Sequence, residues 1–537
     1  MTSTPAHPVT LTEPRDDTMP PGIWYIVSNE FAERFCFYGI TAILTTYFAQ
    51  YLHFTEAKAA SWQSLFKSAA YFSPVIGAIV ADVFWGKFKT IMTFSLLYAG
   101  GCVALALLGH TAAAVAGSLF FVALGTGGIK PCVSTNVGDQ FTSKNQHLIE
   151  RAFSWFYMAI NFGSSISIYY CPVLLADPAY GPAWAFGLPA GMMMTATIVF
   201  GLGRRKFAVV PPAGKAWLRD VVSKDGIKLI TNLLIIYAFV AFFWMLWDQS
   251  NGNTWTLQAR SSLMDKELAF GFKVLPAQLQ VVNGLFILAL APFFSYVVFP
   301  FWGRFFVVTP LKKIGIGLFT VGASFIIVGR IEQRIQDGHS VSAWWQIFAY
   351  AILTCSEILV SITALEFSYK QAPLRMKSFI MALFFLSTSL GNGMIAIVNN
   401  AMVKPLHATA IEVGPETWVT VDEAKDFVPG QKIDFTDDVG IEVLDAEGKA
   451  ARLEGTFLVK EIQNGRLRLM DVVERAPVAS RGTFKPGGQV STYRLVGPNY
   501  FYFFVGVVML AGLVFIFVAM AYKEQTYVRE EPQASAA

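Results

Sequence analysis

The stretch NEFAERFCFYG places three charged side chains, Glu30, Glu33 and Arg34, inside an otherwise apolar run. On a helix, positions three and four apart share a face, so these groups form one stripe with Tyr38, and Thr41 lies one turn beyond. Charged groups in a membrane helix are costly, and by default they mark a functional site. Two acids and one guanidinium cannot all neutralise one another, so either one acid is protonated or another cation faces the stripe.

A candidate cation lies in GTGGIKPCVSTNVGDQF, where Lys130 follows Gly125, Gly127 and Gly128 and precedes Pro131. The glycines allow close helix approach, and the proline removes a backbone donor. An ammonium group inside an apolar segment is costly unless it meets water or polar partners. We therefore expect it to face a polar cavity.

Polar side chains also occupy other apolar segments: Ser154, Tyr157, Asn161 and Ser165 at helical spacing in one, and Asp248, Asn283, Glu357 and Ser361 in three more. Asn161 or Asn283 alone fits a satisfied structural role equally well. Because six segments contribute such groups, however, they predict the lining of a cavity.

Five aromatic residues accompany these segments: Tyr38, Tyr71, Trp244, Phe384 and Phe385. Each of them alone is more typical of packing than of ligand contact. All six histidines lie in tails, loops or segment ends. If the protein handles protons in the membrane, carboxylates must therefore carry them.

The chain that positions these groups has 537 residues, of which 54% are hydrophobic and 15% charged, with a positive mean hydropathy. This composition predicts a membrane protein. Apolar segments long enough to cross a bilayer as helices recur twelve times, at 24–52, 62–83, 90–109, 114–133, 152–175, 184–203, 228–250, 277–299, 312–330, 343–367, 378–403 and 499–522.

Two composition breaks divide this predicted all-α membrane protein. The basic loop 204–227 separates six segments from six, which predicts bundles at 23–203 and 228–404, the second completed by a helix at 499–522. The polar stretch 405–498 has alternating runs, GIEVL, GTFLV and RLRLM, separated by turn-like AEGK and QNGR. It predicts a small β-rich insert, either a tolerated surface insertion or a partner-binding unit.

Lys and Arg concentrate in the connections after even-numbered segments, so we expect both tails, a disordered 1–22 and 523–537, in the cytoplasm. The insert would then be extracytoplasmic. We expect the protein to lie in a plasma membrane, most simply a bacterial inner membrane. A smaller group of basic residues on the other side weakens this bias without reversing it: Arg260, Lys266, Arg330 and Arg334.

The five cysteines, Cys36, Cys102, Cys132, Cys171 and Cys355, show no paired spacing and indicate neither a disulfide framework nor a zinc site. The formal charge of +4 is explained by the loops, so nucleic acid is not implied. The apolar segments contain no metal cluster and no nucleophile–base pair. We therefore expect no enzyme and no cofactor.

NEFAERFCFYG resembles the ExxER motif of the proton-coupled oligopeptide transporters, a branch of the major facilitator superfamily. GGIKPCVSTNVGDQF and FSWFYMAINFGSS resemble the two longer signatures of that family, and GAIVADVFWGKFK is similar to the superfamily's loop motif. WDQSNGNTWTLQA, LPAQLQVVNGLFI and LEFSYKQAP look closer to animal-type peptide carriers. The resemblance covers nearly all apolar segments but not the insert.

The resemblance implies the major facilitator fold and import of di- and tripeptides with protons. The oligomeric state stays open, with a monomer favoured. Glu30, Glu33, Arg34 and Lys130 would form the proton-coupling cluster, and Arg34 and Lys130 would receive the peptide carboxylate. Glu357, helped by Asn161 and Asn283, would receive the amine. The remaining binding positions would shape the pocket: Tyr38, Tyr71, Trp244, Ser361 and Phe384.

The sequence departs from the family pattern at three positions and in one loop. Phe37 replaces a common tyrosine, and Ser64 occupies the position of a histidine of animal carriers. Thr41 stands where many relatives place an arginine, so Asp248, a candidate gate or second proton site, is expected to lack that partner. The loop 204–227 is too short for the pair of extra helices that many bacterial members carry there.

Two other functions stay open at this point. One is a carrier of the same fold for another small solute, such as nitrate or an amino-acid conjugate; Glu357 disfavours an inorganic anion, which has no amine to meet it. The other is a peptide-sensing receptor that signals through the insert or the tails.

Overall fold

The computed structural model describes residues 17–142, 144–208, 211–212, 214–372, 376–424, 427–436, 439–444, 450–485 and 488–522. Most of the predicted tail 1–22, all of the tail 523–537, and the turn AEGK at 446–449 lie outside these residues.

The first half of the chain forms six long helices, and most of their ends lie within a few residues of the predicted apolar segments. The exceptions are α2, which begins earlier than predicted, and α4, which ends later. They are α1 Gly22–Gln50, α2 Glu56–Trp85, α3 Lys87–Leu108, α4 Ala112–Asp139, α5 Ile149–Ala176 and α6 Gly181–Leu202. The Thr55 side chain caps α2 by accepting the backbone N–H of Lys58, and Gly86, at φ 76°, separates α2 from α3.

The second half forms six more: α7 Lys224–Ser250, α8 Val281–Phe293 with its continuation to Trp302, α9 Pro310–Gln336, α10 Trp344–Gln371, α11 Lys377–Ala401 and α12 Pro498–Ala521. A π-helical turn, Ile358–Ile362, interrupts α10 directly after Glu357. In the described part of the chain, eleven helices are long and apolar enough to cross a membrane. The twelfth is α1, whose 29 residues carry the charged stripe.

Each half has its own apolar core, one within residues 23–207 and the other within 229–515. In the first half, α1 packs on α5 and α6, and α3 packs on α4. The predicted close approach at α4 is present, since a Cβ at Gly127 would meet Ser73 at 2.4 Å and one at Gly128 would meet Phe94 at 2.1 Å. Across the halves, α2 packs on α11. The predicted fold class, two six-helix bundles with an insert, is confirmed.

The insert between α11 and α12 is β-rich, as predicted. Its strands are β1 Val403–Leu406, β2 Ala408–Glu412, β3 Trp418–Val421, β4 Lys432–Phe435, β5 Ile441–Leu444, β6 Ala450–Arg452, β7 Gly455–Gln463, β8 Arg466–Asp471, β9 Ala479–Gly482 and β10 Val490–Tyr493. Seven form an antiparallel sheet in the order β1-β10-β4-β7-β8-β3-β2, and β9, β5 and β6 form a second.

The strands of the insert direct apolar side chains into a shared core. Phe435, Val459 and Leu467 are buried in a separate core. The turn QNGR joins β7 to β8, with Asn464 at φ 50° and Gly465 at φ 77°. Two positive φ angles in a two-residue loop are the geometry that Asn-Gly favours in hairpins.

Candidate functional site

A cavity of about 2080 Å³ lies between the two halves. We call the end of the helices that carries the insert the insert end, and the opposite end the basic end. The cavity reaches the basic end, where Lys87, Asp139 and Lys370 line it. Eleven of the predicted site residues line it: Glu30, Arg34, Tyr38, Tyr71, Lys130, Asn161, Trp244, Asn283, Glu357, Ser361 and Phe384.

On the wall of the first half, α1 presents the charged stripe. Arg34 Nε lies 3.2 Å from Glu30 Oε1, and the Arg34 guanidinium also donates to the carboxylate of Glu33. The two acids are not equivalent, because Glu30 lines the cavity whereas the Glu33 side chain is fully buried behind it. Glu33 Oε1 has no hydrogen-bond partner among the residues described. Both acids therefore hold one arginine, and Glu30 is the one that the cavity reaches.

Lys130 from α4 faces the same cavity without pairing to these acids. Its ammonium lies 3.5 Å from the ring centroid of Tyr71 and 4.1 Å from that of Phe37. In the described part of the chain, Lys130 Nζ has no hydrogen-bond partner. Aromatic faces attract a cation but leave its N–H donors free. This wall thus offers a buried cation with unused donors, which suits a carboxylate.

On the opposite wall, Glu357 from α10 is held by neutral donors. Its Oε2 accepts from Asn283 Nδ2 at 2.8 Å and from Trp247 Nε1 at 2.9 Å. Asn283 also donates to Thr354 Oγ1, which fixes its position. These donors carry no charge, so within the described residues Glu357 has no cationic partner, and a carboxylate placed in this way suits an amine.

Trp247 is a site residue that our sequence interpretation missed. It lies three residues after Trp244 in the run WMLW, one helical turn along the same face, and this spacing was the available signal. The two indole rings pack edge to face with centroids 5.3 Å apart.

Of the other predicted residues, Asn161 lines the cavity, and its amide donates to the backbone oxygen of Tyr157 within α5. Ser154 donates to the backbone oxygen of Glu150. Tyr71 and Phe385 approach to 6.1 Å between centroids and extend the aromatic lining from one half to the other.

The partner of Asp248 does not come from position 41, where the Thr41 hydroxyl donates to the backbone oxygen of Tyr38. Asp248 Oδ1 lies 3.0 Å from Nζ of Lys67 on α2, and its Oδ2 accepts from Asn392 on α11 at 2.6 Å. Lys67 also donates to the backbone oxygen of Asn251 at 2.8 Å, and both charged side chains are almost fully buried. This lysine lies on α2 and not at position 41. Comparing Thr41 with the arginine of many relatives therefore could not reveal it. An isolated lysine inside the apolar segment 62–83 was the signal.

The Lys67–Asp248 pair joins the two halves near the insert end, and other contacts reinforce it. Ser68 and Ser389 exchange hydrogen bonds with each other's backbone oxygens at 2.9 and 2.8 Å. Asn253 donates to the hydroxyl of Ser64 at 2.9 Å. Ser64, which occupies the position of a histidine in animal carriers, therefore belongs to the contacts that join the two halves. The cavity is therefore closed at the insert end and open at the basic end.

Two six-helix bundles around a central polar cavity define the major facilitator fold, the architecture of many secondary transporters. A model of the POT family matches residues 88–224 and 213–419. The chain belongs to this family, as its motifs indicated.

Known proteins agree with this assignment. The chain is 35% identical over 393 residues to solute carrier family 15 member 2 of Mus musculus, covering 64% of this chain and 53% of that protein. It is 35% identical over 362 residues to peptide transporter family 1 of Drosophila melanogaster, covering 59% of this chain and 48% of that protein. The chain thus spans about half the length of these relatives.

Among solved structures, the POT family transporter PepTSo superposes with a TM-score of 0.71 at 28% identity, covering 95% of this chain and 99% of that one. An auto-inhibited POT family peptide transporter gives a TM-score of 0.70 at 25% identity, with the same coverage. These relatives are transporters, which fits a protein that is not an enzyme. Within the described residues, no group of three His, Cys, Asp or Glu side chains could hold a metal ion.

Proposed function

We propose that this protein is a proton-coupled symporter that imports di- and tripeptides by alternating access. The observation that carries the proposal is the placement of the unpaired ammonium of Lys130 and the carboxylate of Glu357 on opposite walls of one cavity. Small peptides have two opposite terminal charges at a nearly constant separation and differ in their side chains. The charged walls would bind the two terminal charges, and the aromatic lining would accommodate different side chains. The relatives named peptide transporters support this substrate class.

Each terminus of the peptide meets a different half. Lys130, with Arg34 once it is released, receives the carboxylate, while Glu357 receives the amine and keeps its hydrogen bonds to Trp247 and Asn283. A peptide bound in this way crosses the space between the halves. It therefore stabilises an arrangement in which they approach each other.

Proton coupling depends on competition for Arg34. While Glu30 and Glu33 are ionised, both hold its guanidinium. Protonation of one of them weakens this hold and frees donors of Arg34 for the peptide carboxylate. Glu30 is the first acceptor of the proton, because it lines the cavity. Protonation of Glu33, which is buried behind the cavity wall, then completes the release of Arg34. A membrane potential of about 100 mV contributes about 2.3 kcal/mol per charge moved, or roughly fiftyfold accumulation.

The Lys67–Asp248 pair acts as the gate at the insert end, with this end toward the outside and both termini in the cytoplasm. Opening to the outside separates α2 from α7 and α11 and must break this buried pair. We expect Lys67→Met with Asp248→Asn to speed opening, measured as faster labelling of buried positions at this end; unchanged labelling would remove the gate role.

The experiment that tests the function is uptake of a labelled dipeptide into proteoliposomes, with and without an inward proton gradient. We expect accumulation only with the gradient, and competition by unlabelled dipeptides but not by nitrate. Uptake that ignores the gradient, or that nitrate blocks, would overturn the proposal.

A further inference from the structure

The insert makes polar contacts with the half of the protein to which it is not attached, as well as with its own half. It leaves the chain after α11 and returns at α12, so its two covalent links belong to the second half. Ser262, in the segment after α7, adds a hydrogen bond from its backbone N–H to the oxygen of Val473 at 2.8 Å. The insert is thereby fixed to the second half.

From there it reaches α2 of the first half through a set of polar groups, of which Lys432 is 32% exposed. Lys432 Nζ lies 2.8 Å from Glu56 Oε2 at the start of α2, and 3.9 Å from Glu332 Oε1 in the last turns of α9. One insert lysine thus binds a carboxylate from each half. The Glu56 and Glu332 side chains are 9% and 12% exposed, so water screens this contact less than a surface pair.

The insert also binds free backbone donors at the N-terminus of α2. The N–H of Glu56 donates to the Thr456 hydroxyl at 2.9 Å, and that hydroxyl donates to Asp434 at 2.6 Å. The N–H of Ala57 donates to the Tyr493 hydroxyl at 3.4 Å, and Tyr493 donates to the other oxygen of Asp434 at 2.6 Å. The first N–H groups of a helix have no partner within the helix, so side chains that satisfy them hold the helix end.

We propose that the insert is a clasp that holds the insert end of the transporter closed, with Lys432, Thr456 and Tyr493 as positioning residues. This inference rests on the proposed alternating access, in which the insert end of α2 moves away from the second half. The clasp contacts exist only while that end is closed, so they favour the state open at the basic end and slow the return to the outward-open state.

The test measures opening at the insert end directly. Ala60 on α2 is 2% exposed and lies among residues that contact the second half. In a chain carrying A60C and C355S, we expect Lys432→Met and Glu56→Gln each to speed labelling by a hydrophilic maleimide several-fold. Glu56→Gln leaves the insert unchanged, so it keeps the proposal falsifiable if Lys432→Met unfolds the insert. Lys404→Met is the matched control, because Lys404 pairs with Glu423 inside the insert.

Equal labelling rates in Lys432→Met, Glu56→Gln and the parent chain would overturn the clasp, and so would equal acceleration by Lys404→Met. The assay needs no peptide, so it judges the clasp even if dipeptide uptake fails and the proposed function falls.

A second measurement tests the mechanical link. Cross-linking A57C to T456C ties the insert to the first half and should abolish uptake until the link is cleaved. Cross-linking S262C to E474C ties it to its own half, where Ser262 already binds the Glu474 oxygen, and should leave uptake intact. Full uptake in the first cross-linked pair would overturn the proposal.

Discussion

The two walls of the cavity carry their charges in opposite ways. In the first half, Glu30, Glu33 and Arg34 bind one another while Lys130 stays without a hydrogen-bond partner in the described chain. In the second half, Glu357 is a single carboxylate held by the neutral donors of Asn283 and Trp247. A cluster with competing partners can change its pairing when one member is protonated, whereas a lone carboxylate with neutral donors has no alternative partner. We therefore expect the first wall to switch and the second wall to recognise a peptide terminus.

The largest effect should follow from Glu33→Gln, which removes an acid of the switching wall. We expect proton-driven accumulation of a labelled dipeptide to be abolished, because only Glu30 then holds Arg34 and the step in which Glu33 completes its release is lost. Exchange of peptide across the membrane should persist in part, since Lys130 and Glu357 remain. Uptake with an imposed gradient and counterflow without one are measured in the same vesicles.

The matched control for that experiment is Glu150→Gln, an exposed acid in the first turn of α5. It should leave both assays unchanged. Accumulation by Glu33→Gln at the level of the unmodified chain would show that this wall does not switch.

Next in size is Glu357→Ala, which removes the charge of the recognising wall. We expect a loss of about 2 kcal/mol, or roughly thirtyfold weaker binding, for dipeptides with a free amine. An N-acetylated dipeptide should lose little, because its amide carries no positive charge. Competition binding with both ligands, with Glu366→Gln on the exposed face of α10 as control, separates a lost amine contact from general damage. Equal losses for the two ligands would contradict the assigned role.

The charged residues of both walls could be predicted from the sequence. A charge in an apolar helix is expensive, so Glu30, Glu33, Arg34, Lys130 and Glu357 stood out one by one. Their helix faces followed from spacing, and the twelve helices from segment length. The turn QNGR was predictable because Asn-Gly fits two positive φ angles.

Contacts between distant segments could not be predicted in this way. Lys67 and Asp248 are 181 positions apart, and only the packing of α2 against the second half brings them together. The same holds for Lys432 and Glu56, which belong to segments of different composition. The unequal burial of Glu30 and Glu33 also depends on the rotation of α1 about its axis relative to its neighbours. The spacing of residues within one helix does not determine that rotation.

A smaller effect should follow from Lys130→Gln on the switching wall. We expect about 1.4 kcal/mol, or roughly tenfold, weaker binding of dipeptides with a free carboxylate, since Arg34 remains to share the contact. A dipeptide amide should bind almost as before. Isothermal titration with the two ligands measures the difference, and Lys312→Gln, an exposed lysine of α9, is the control. If Lys130→Gln weakens both ligands alike, the ammonium is structural rather than a carboxylate receptor.

The last prediction concerns the stability of the insert rather than peptide binding, at a carboxylate outside the membrane whose hydrogen bonding resembles that of Glu357. Asp434 in the insert is buried and accepts from the neutral hydroxyls of Thr456 and Tyr493. Burial raises its pKa to about 7; those hydrogen bonds and the nearby Lys432 oppose the rise, whereas Glu56 adds to it. The comparison can therefore be tested by titration at this site.

Because the pKa of Asp434 is higher in the folded insert than in an unfolded chain, the folded insert binds the extra proton between about pH 4 and pH 7. Its stability should fall as the pH rises through that interval and level off above it. Asp434→Asn should flatten this dependence, while Glu442→Gln, an exposed acid paired with Arg481, should preserve it. Hydrogen exchange of β4 in the full chain, corrected for the intrinsic pH dependence, measures the change. A slope that survives unchanged in Asp434→Asn would mean that another group causes the pH dependence, and it would contradict the assignment to Asp434.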